Sequence, residues 1–163
     1  MEIREKREVG REILTLSNLL CRKIEYDKVQ IGLGKISYMQ GGIIRYLMEN
    51  DKRDIFPRDV VKHFCMTRST VAGILQKMEK NGYIRLVAVP KDARLKKIVL
   101  TEKGIAADEV VKLHVESLER LLVRGMTAED IDCLFRLTGR MRQNLLEELK
   151  CSDANKFCRK TRQ

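Results

Sequence analysis

The chain has 163 residues, 44% of them hydrophobic, with 33 Lys and Arg against 23 Asp and Glu. This length suits one folding unit better than two. The net charge of +10 attracts polyanions, either nucleic acid or an acidic membrane surface. No stretch reaches the roughly 18 consecutive apolar residues of a membrane span, and the first residues lack a secretory signal. We therefore expect a cytoplasmic protein with no membrane partner.

Residue patterns that carry catalysis or metal binding are missing from the sequence. Phosphate-loop, dinucleotide, HExxH and GxSxG motifs do not occur, so we expect no enzyme and no cofactor. The two histidines, His63 and His114, have no Cys or carboxylate ligands at repeating spacing, which gives metal sensing no support. Five cysteines without a CxxC pair predict reduced thiols: Cys21, Cys65, Cys133, Cys151 and Cys158.

Apolar spacing and capping residues predict four helices in the first half of the chain. Ser37 and Thr67 are expected N-caps, and Pro57 suits a first helical turn. The adjacent pair Gly41 and Gly42 indicates a close helix contact. The four helices are expected at about residues 5–27, 37–50, 57–65 and 68–80.

Two β-rich runs follow the fourth helix, at residues 83–89 and 96–100, with a charged tip at 90–95 between them. They predict a two-stranded hairpin. Thr101 is then expected to cap a helix to about Arg124, and Thr127 one to about Lys150. The basic tail, 151–163, is expected to be flexible. The fold class is therefore mainly α with a small β-hairpin.

The fourth helix separates its residues onto two faces. Val71, Ile74, Leu75 and Met78 form an apolar side, which we expect to be buried. The other side holds Ser69, Ala72, Gly73, Gln76, Lys77 and Lys80, and its small residues would let the helix axis approach base edges while Gln76 pairs with adenine. A solvated helix face is the alternative for the helix alone. Residues 58–97 carry ten Lys and Arg against three Asp and Glu, which favours a nucleic-acid surface.

The stretches MTRSTVAGILQKMEKNGYI (66–84) and KDARLKKIVLTEKG (91–104) resemble the MarR family of bacterial regulators. Thr67 stands where the family has a small or acidic cap. The resemblance implies a winged helix-turn-helix whose recognition helix enters the major groove, while Arg94, positioned by Asp92, approaches the minor groove. The DNA-binding residues expected in the recognition helix are Thr67, Arg68, Ser69, Thr70, Ala72, Gly73, Gln76 and Lys77. Those expected in the wing are Lys91, Asp92, Arg94, Lys96 and Lys97.

The resemblance also implies a domain organisation. Residues 1–36 would form an N-terminal dimerisation helix and loop, 37–101 the DNA-binding domain, and 102–150 the C-terminal dimerisation helices. The function expected is a transcriptional repressor that binds a pseudo-palindromic site on double-stranded DNA as a homodimer and is relieved by a small-molecule effector.

Two alternatives stay open. Asn18-Leu19-Leu20-Cys21 resembles the peroxide-sensing branch of the family, which implies a redox-sensing regulator that uses the Cys21 thiolate. The winged helix could instead serve only for contact with an acidic protein. A DNA regulator should prefer its site over random duplex by a factor of roughly 10³ or more. This preference separates a DNA regulator from a winged helix that only contacts protein.

Overall fold

The computed structural model describes the backbone of residues 8–31, 36–90 and 92–160, and their side chains except for 30–31, 92–94 and 150–160. This part of the chain contains six helices and one antiparallel hairpin. In chain order they are α1 (Val9–Ile31), α2 (Tyr38–Glu49), α3 (Pro57–Phe64), α4 (Arg68–Lys80), β1 (Ile84–Val89), β2 (Asp92–Leu100), α5 (Glu102–Leu122) and α6 (Ala128–Lys160). The predicted fold class and element order are confirmed.

Side-chain caps determine where the helices begin. Ser37 accepts a hydrogen bond from the backbone N–H of Gln40, whose side chain accepts from the Ser37 N–H in return. Thr127 and Asp130 form the same reciprocal pair before α6. The Thr101 hydroxyl accepts from the Gly104 N–H at 3.1 Å and donates to the Gly82 carbonyl at 2.6 Å. Each cap satisfies backbone groups that the first helical turn leaves unpaired, and the predicted caps are confirmed.

The hairpin is longer than predicted. Its register pairs Ile84 with Leu100 and Ala88 with Lys96, and then shifts so that Val89 pairs with Asp92. The prediction that the second strand begins at Lys96 is therefore wrong, because β2 begins at Asp92. A bulge extends the pairing into a segment whose charged residues resembled a turn. The Ile98 N–H also donates to the Ile55 carbonyl at 2.8 Å, which attaches the base of the hairpin to the turn between α2 and α3.

The chain divides into two compact units, residues 1–116 and 117–163. The first contains a hydrophobic core built by α2, α3, α4 and the hairpin. Its fully buried members come from every one of these elements, so burying them fixes the helices against one another. They include Ile43, Ile44, Val60, Val71, Leu75, Met78 and Ile84.

Three glycines allow close approach in the first unit. A Cβ on Gly41 would lie 3.3 Å from Val111 of α5, and one on Gly42 would lie 3.4 Å from Phe64 of α3, so the predicted close helix contact is confirmed. The tightest site is Gly104, where a Cβ would lie 2.2 Å from the Tyr83 carbonyl oxygen. No other residue fits there without movement of the backbone.

The second unit consists of the end of α5, a turn at Gly125 with φ +83°, and α6. We predicted that α6 ends near Lys150, but it continues to Lys160. Residues 151–160 contain neither Gly nor Pro to stop a helix. The flexible tail stays a prediction only for 161–163, which lie outside the described residues. No helix in the described ranges is long and apolar enough to cross a membrane.

Candidate nucleic-acid interface

The α4 helix lies against the core with one face and presents the other to solvent. Val71, Leu75 and Met78 are buried, and Ile74 is partly buried, which confirms the predicted apolar side. The opposite face is exposed at Ser69, Ala72, Gln76, Lys77 and Lys80, with Gly73 half-buried. The helix therefore offers a row of small and polar side chains to a partner outside the molecule.

Packing within the described part of the chain does not require a glycine at position 73. A Cβ at this position would meet nothing within 4 Å, although glycine inside a helix costs about 1 kcal/mol relative to alanine. Packing within the chain does not explain that cost. Close approach of an external surface to the helix backbone would explain it.

Three hydroxyl groups meet at the N-terminus of α4. Thr67 Oγ1 accepts from the Thr70 N–H at 3.2 Å and lies 3.0 Å from Ser69 Oγ and 2.8 Å from Thr70 Oγ1. Thr67 is thus an N-cap that orients the first turn, as predicted. The free N–H groups of such a turn carry partial positive charge, which favours a nearby phosphate.

The turn between α3 and α4 depends on an unusual backbone conformation. Cys65 has φ +51°, the one left-handed residue other than glycine among the described residues. Its N–H donates to the Val61 carbonyl and ends α3. Sequence reasoning missed this geometry, because cysteine gives no signal for a left-handed position.

Glu79 of α4, the expected recognition helix, holds the hairpin of β1 and β2, the expected wing. Its Oε1 accepts a hydrogen bond from the Leu86 N–H at 2.8 Å. Lys96 is exposed on β2. Lys97 pairs with Asp54 at 2.9 Å, so part of its charge is compensated at the base of the wing. Of the other predicted wing residues, Lys91 lies outside the described residues, and Asp92 and Arg94 are placed only by their backbone in β2.

The remaining predicted sites lie apart from this interface. Cys21 is exposed on α1, and its role in redox sensing stays a prediction. His63 stacks on Tyr46 with ring centroids 4.2 Å apart, whereas His114 faces Asp27. Nowhere in the described ranges do three or more His, Cys, Asp or Glu side chains form a group that could hold a metal ion.

A second feature is a cavity of about 260 Å³ in the first unit, whose lining residues were not identified from the sequence. It lies among α1, α2, α3 and α5, and Arg45 at its wall pairs with the buried Asp108 at 2.9 Å. Its apolar lining cannot be distinguished from ordinary core by sequence. The lining includes Ile24, Ile36, Met39, Phe64, Val111, His114 and Val115.

A short helix, a tight turn, a helix with an exposed basic and polar face, and a hairpin together define a winged helix-turn-helix protein. The model of the MarR family matches residues 35–95. The homoprotocatechuate degradative operon repressor of Escherichia coli is 27% identical over 126 residues, which are 76% of this chain and 84% of that protein. The HTH-type transcriptional regulator PecS of Dickeya dadantii is 31% identical over 93 residues, 56% of this chain and 55% of that protein.

Solved structures have the same fold. The transcription regulator MarR from Oenococcus oeni gives a TM-score of 0.71 at 24% identity, with 83% of this chain and 99% of that chain covered. The MepR–DNA complex of Staphylococcus aureus gives a TM-score of 0.77 at 21% identity, with 86% of this chain and 99% of that chain covered. Over residues 35–95 the chain is therefore similar to the MarR family, and its fold is that of these solved regulators.

Proposed function

We propose that this protein is a DNA-binding transcription regulator of the MarR type, a repressor that binds a pseudo-palindromic operator as a homodimer and releases it when a small molecule enters the cavity. The observation that carries the proposal is the exposed face of α4, which is polar and basic. At Gly73 on this face, no described atom lies within 4 Å of where a Cβ would stand. A relative that is 27% identical to this chain bears the name of an operon repressor, which supports repression over activation.

The recognition helix would read bases and the wing would bind the backbone. Gln76 has the donor and acceptor pair that fits adenine, and Lys77 can reach a base or a phosphate. Arg94 would approach the adjacent minor groove between its two rows of phosphates, and Lys96 would contact a phosphate. Lys97 contributes less, because Asp54 already neutralises part of its charge. The full set proposed for DNA contact is Thr67, Arg68, Ser69, Thr70, Ala72, Gly73, Gln76, Lys77, Lys91, Asp92, Arg94, Lys96 and Lys97.

Exposed apolar side chains support a homodimer. In the first unit, α1 exposes Val9, Ile13 and Leu16 at helical spacing. In the second unit, Phe135 is 70% exposed and Leu145 66% exposed on α6. Surfaces of this kind on a monomer mark association sites. We propose that residues 1–36 and 102–150 form the dimer and that 37–101 bind DNA.

The cavity supports control by a ligand. It contacts α2 and α3 of the DNA-binding segment as well as α1 and α5. A ligand that binds one spacing of the two recognition helices better than another would shift the dimer towards that spacing. A coupling of about 3 kcal/mol changes DNA affinity by roughly 150-fold.

The test combines stoichiometry with transcription. Sedimentation velocity of the protein with a duplex that it selects should give two chains per duplex. A cell-free transcription reaction in which this duplex overlaps the promoter should lose transcript as protein is added. One chain per duplex would contradict the homodimer, and a gain of transcript would contradict repression.

A further inference from the structure

An ion pair joins α2 to α5 inside the first unit. Arg45 Nη1 donates to Asp108 Oδ2 at 2.9 Å, and the two residues are 63 positions apart in the sequence. The Asp108 side chain is 8% exposed, less than the carboxylate of any other ion pair among the described residues. Most of those pairs join neighbours on one helix, whereas this pair connects two separate helices.

Stability does not account for this pair. Arg45 divides its guanidinium between two carboxylates, because Nη2 donates to Glu49 Oε1 at 2.9 Å while Nη1 donates to Asp108. The other oxygen of Asp108, Oδ1, is buried and makes no hydrogen bond to any residue that the structure describes. A buried ion pair with an unsatisfied atom stabilises a fold no more than apolar side chains of similar size would. What it supplies is direction, since a hydrogen bond fixes two side chains more narrowly than apolar contact does.

A second contact lies beside the ion pair on the same two helices. A Cβ on Gly41 would stand 3.3 Å from Val111 Cγ1, so α2 and α5 approach closely there. Arg45 follows Gly41 by one helical turn on α2, and on α5 its partner Asp108 precedes the valine by nearly one turn. Close approach at Gly41 alone would leave α5 free to swing about that point. The ion pair one turn away prevents this, so the two contacts fix both the distance and the angle between the helices.

The angle between α2 and α5 concerns DNA because the two helices belong to different proposed segments. α2 shares a core with α4, in which Ile43 packs together with Val71 and Leu75, so α4 follows any movement of α2. α5 is the first helix of residues 102–150, the segment proposed to form the dimer. In a homodimer, the angle between α2 and α5 would therefore set the separation of the two α4 helices.

We propose that the ion pair of Arg45 and Asp108 determines which spacing of half-sites the protein accepts. This proposal rests on the proposed homodimer and adds the residues that select the geometry of the operator. Neither side chain lies on the α4 face proposed for DNA contact, so both are positioning residues.

The helical geometry of DNA makes this selection strict. Moving one half-site by a base pair shifts it by about 3.4 Å along the duplex. The same change rotates the half-site by about 35°, since one turn holds roughly 10–10.5 base pairs. Two DNA-binding segments that are held at one angle cannot follow such a change, whereas loosely joined segments can.

The test is fluorescence anisotropy of the full chain on four duplexes. They are the duplex that the protein selects from a random library, one copy with a base pair inserted between the half-sites, one copy with a base pair removed there, and a duplex with a single half-site. The wild type should bind the selected duplex at least about 100-fold more tightly than the single half-site. On either altered spacing it should lose about tenfold or more in affinity.

The main variant combines Arg45→Met with Asp108→Leu, which removes both charges and leaves no buried charge unpaired. It should bind the selected duplex about tenfold more weakly than the wild type, and its further loss on either altered spacing should be less than about threefold. Its affinity for the single half-site should stay within about twofold of the wild-type value, because one segment binds there without its partner.

A second variant keeps the test decisive if the double variant does not fold. Asp108→Asn keeps the shape of the side chain and an acceptor for Arg45 but removes the charge. Its loss on altered spacing should lie between those of the wild type and the double variant. Glu49→Gln is the matched control, because it changes the exposed partner of Arg45 and leaves the pair with Asp108 in place; it should keep the wild-type dependence on spacing.

Three results would overturn the proposal. The first is a wild-type dependence on spacing in Asp108→Asn, or in a double variant that circular dichroism shows to be folded; the proposed homodimer would then still stand. The second is an equal loss on the single half-site and the selected duplex, which a purely structural role of the pair would give. The third is wild-type protein that binds the single half-site as tightly as the selected duplex, in which case the proposed homodimer fails as well.

Discussion

At the scale of single residues, Gln76 and Arg94 are expected to act differently on DNA. Gln76→Ala removes a base contact and should cost about 1–3 kcal/mol on the preferred site, with relaxed preference at one base pair. Arg94→Ala removes a positive charge expected to lie close to the DNA phosphates, so it should weaken binding to all duplexes and reduce the salt slope by about one. Fluorescence anisotropy on specific and shuffled duplexes across a salt series measures both. Equal losses by Gln76→Ala on the two duplexes would contradict base reading by Gln76.

Gly104 is the residue whose replacement should most disturb the fold. The added methyl of Gly104→Ala would overlap the Tyr83 carbonyl oxygen and Leu100 Cδ2, so we expect a loss of about 2–3 kcal/mol in the free energy of unfolding. Gly73→Ala is the matched control, since it also replaces a helical glycine but meets open space, and it should gain up to about 1 kcal/mol. Urea unfolding of both variants measures the difference. A Gly104→Ala protein as stable as the wild type would show that the contact is not tight.

At the scale of elements, Glu79 is expected to fix the wing relative to the recognition helix. Glu79→Ala leaves the Leu86 N–H without its acceptor, whereas Glu79→Gln keeps an acceptor and removes the charge. The alanine variant should lose about 1 kcal/mol of stability and bind all duplexes more weakly, because the wing no longer holds one position. The glutamine variant should keep the wing in place and bind DNA at least as well as the wild type, since a negative charge near phosphate is gone. Urea unfolding and anisotropy on the same samples check this, and identical behaviour of the two variants would argue against the role.

Element boundaries followed from the sequence where a local interaction determines them. The caps at Ser37, Thr67 and Thr101 are made by a side chain within three residues of its partner, so a short motif predicts them. The pairing of Ile55 with Ile98 joins residues that are distant in the sequence, and no local pattern predicts it. The early start of β2 at Asp92 depends on a bulge opposite Ala88 and Val89, which is also a property of two strands together.

The candidate site shows the same limit. The outward face of α4 follows from helical periodicity, since Val71, Leu75 and Met78 mark the buried side. The cavity does not follow, because Ile24 and Val111 line it while having the same chemistry as core residues. The pairing of Lys97 with Asp54 also depends on tertiary contact. The sequence therefore indicated the exposed face that we propose for DNA contact, but not which interior residues line the cavity.

At the scale of the whole molecule, the apolar surface of α6 predicts association. Leu145→Glu replaces a side chain that is 66% exposed in the single chain, so it should leave the chain folded and convert a dimer into monomers. Val87→Glu, at a 40% exposed position on the wing, is the control and should remain dimeric. Sedimentation equilibrium measures the mass of each variant. A Leu145→Glu protein of unchanged dimeric mass would place the interface elsewhere.

The regulator should recognise a two-fold-symmetric DNA site, and selection from a random duplex library tests this claim most directly. The selected duplex is then titrated against a shuffled copy over a range of salt concentrations. We predict half-sites about one helical turn apart, a preference of roughly 10³ or more over the shuffled duplex, and steep salt dependence. Enrichment of no sequence, with weak binding that is equal for both duplexes, would contradict base reading by α4.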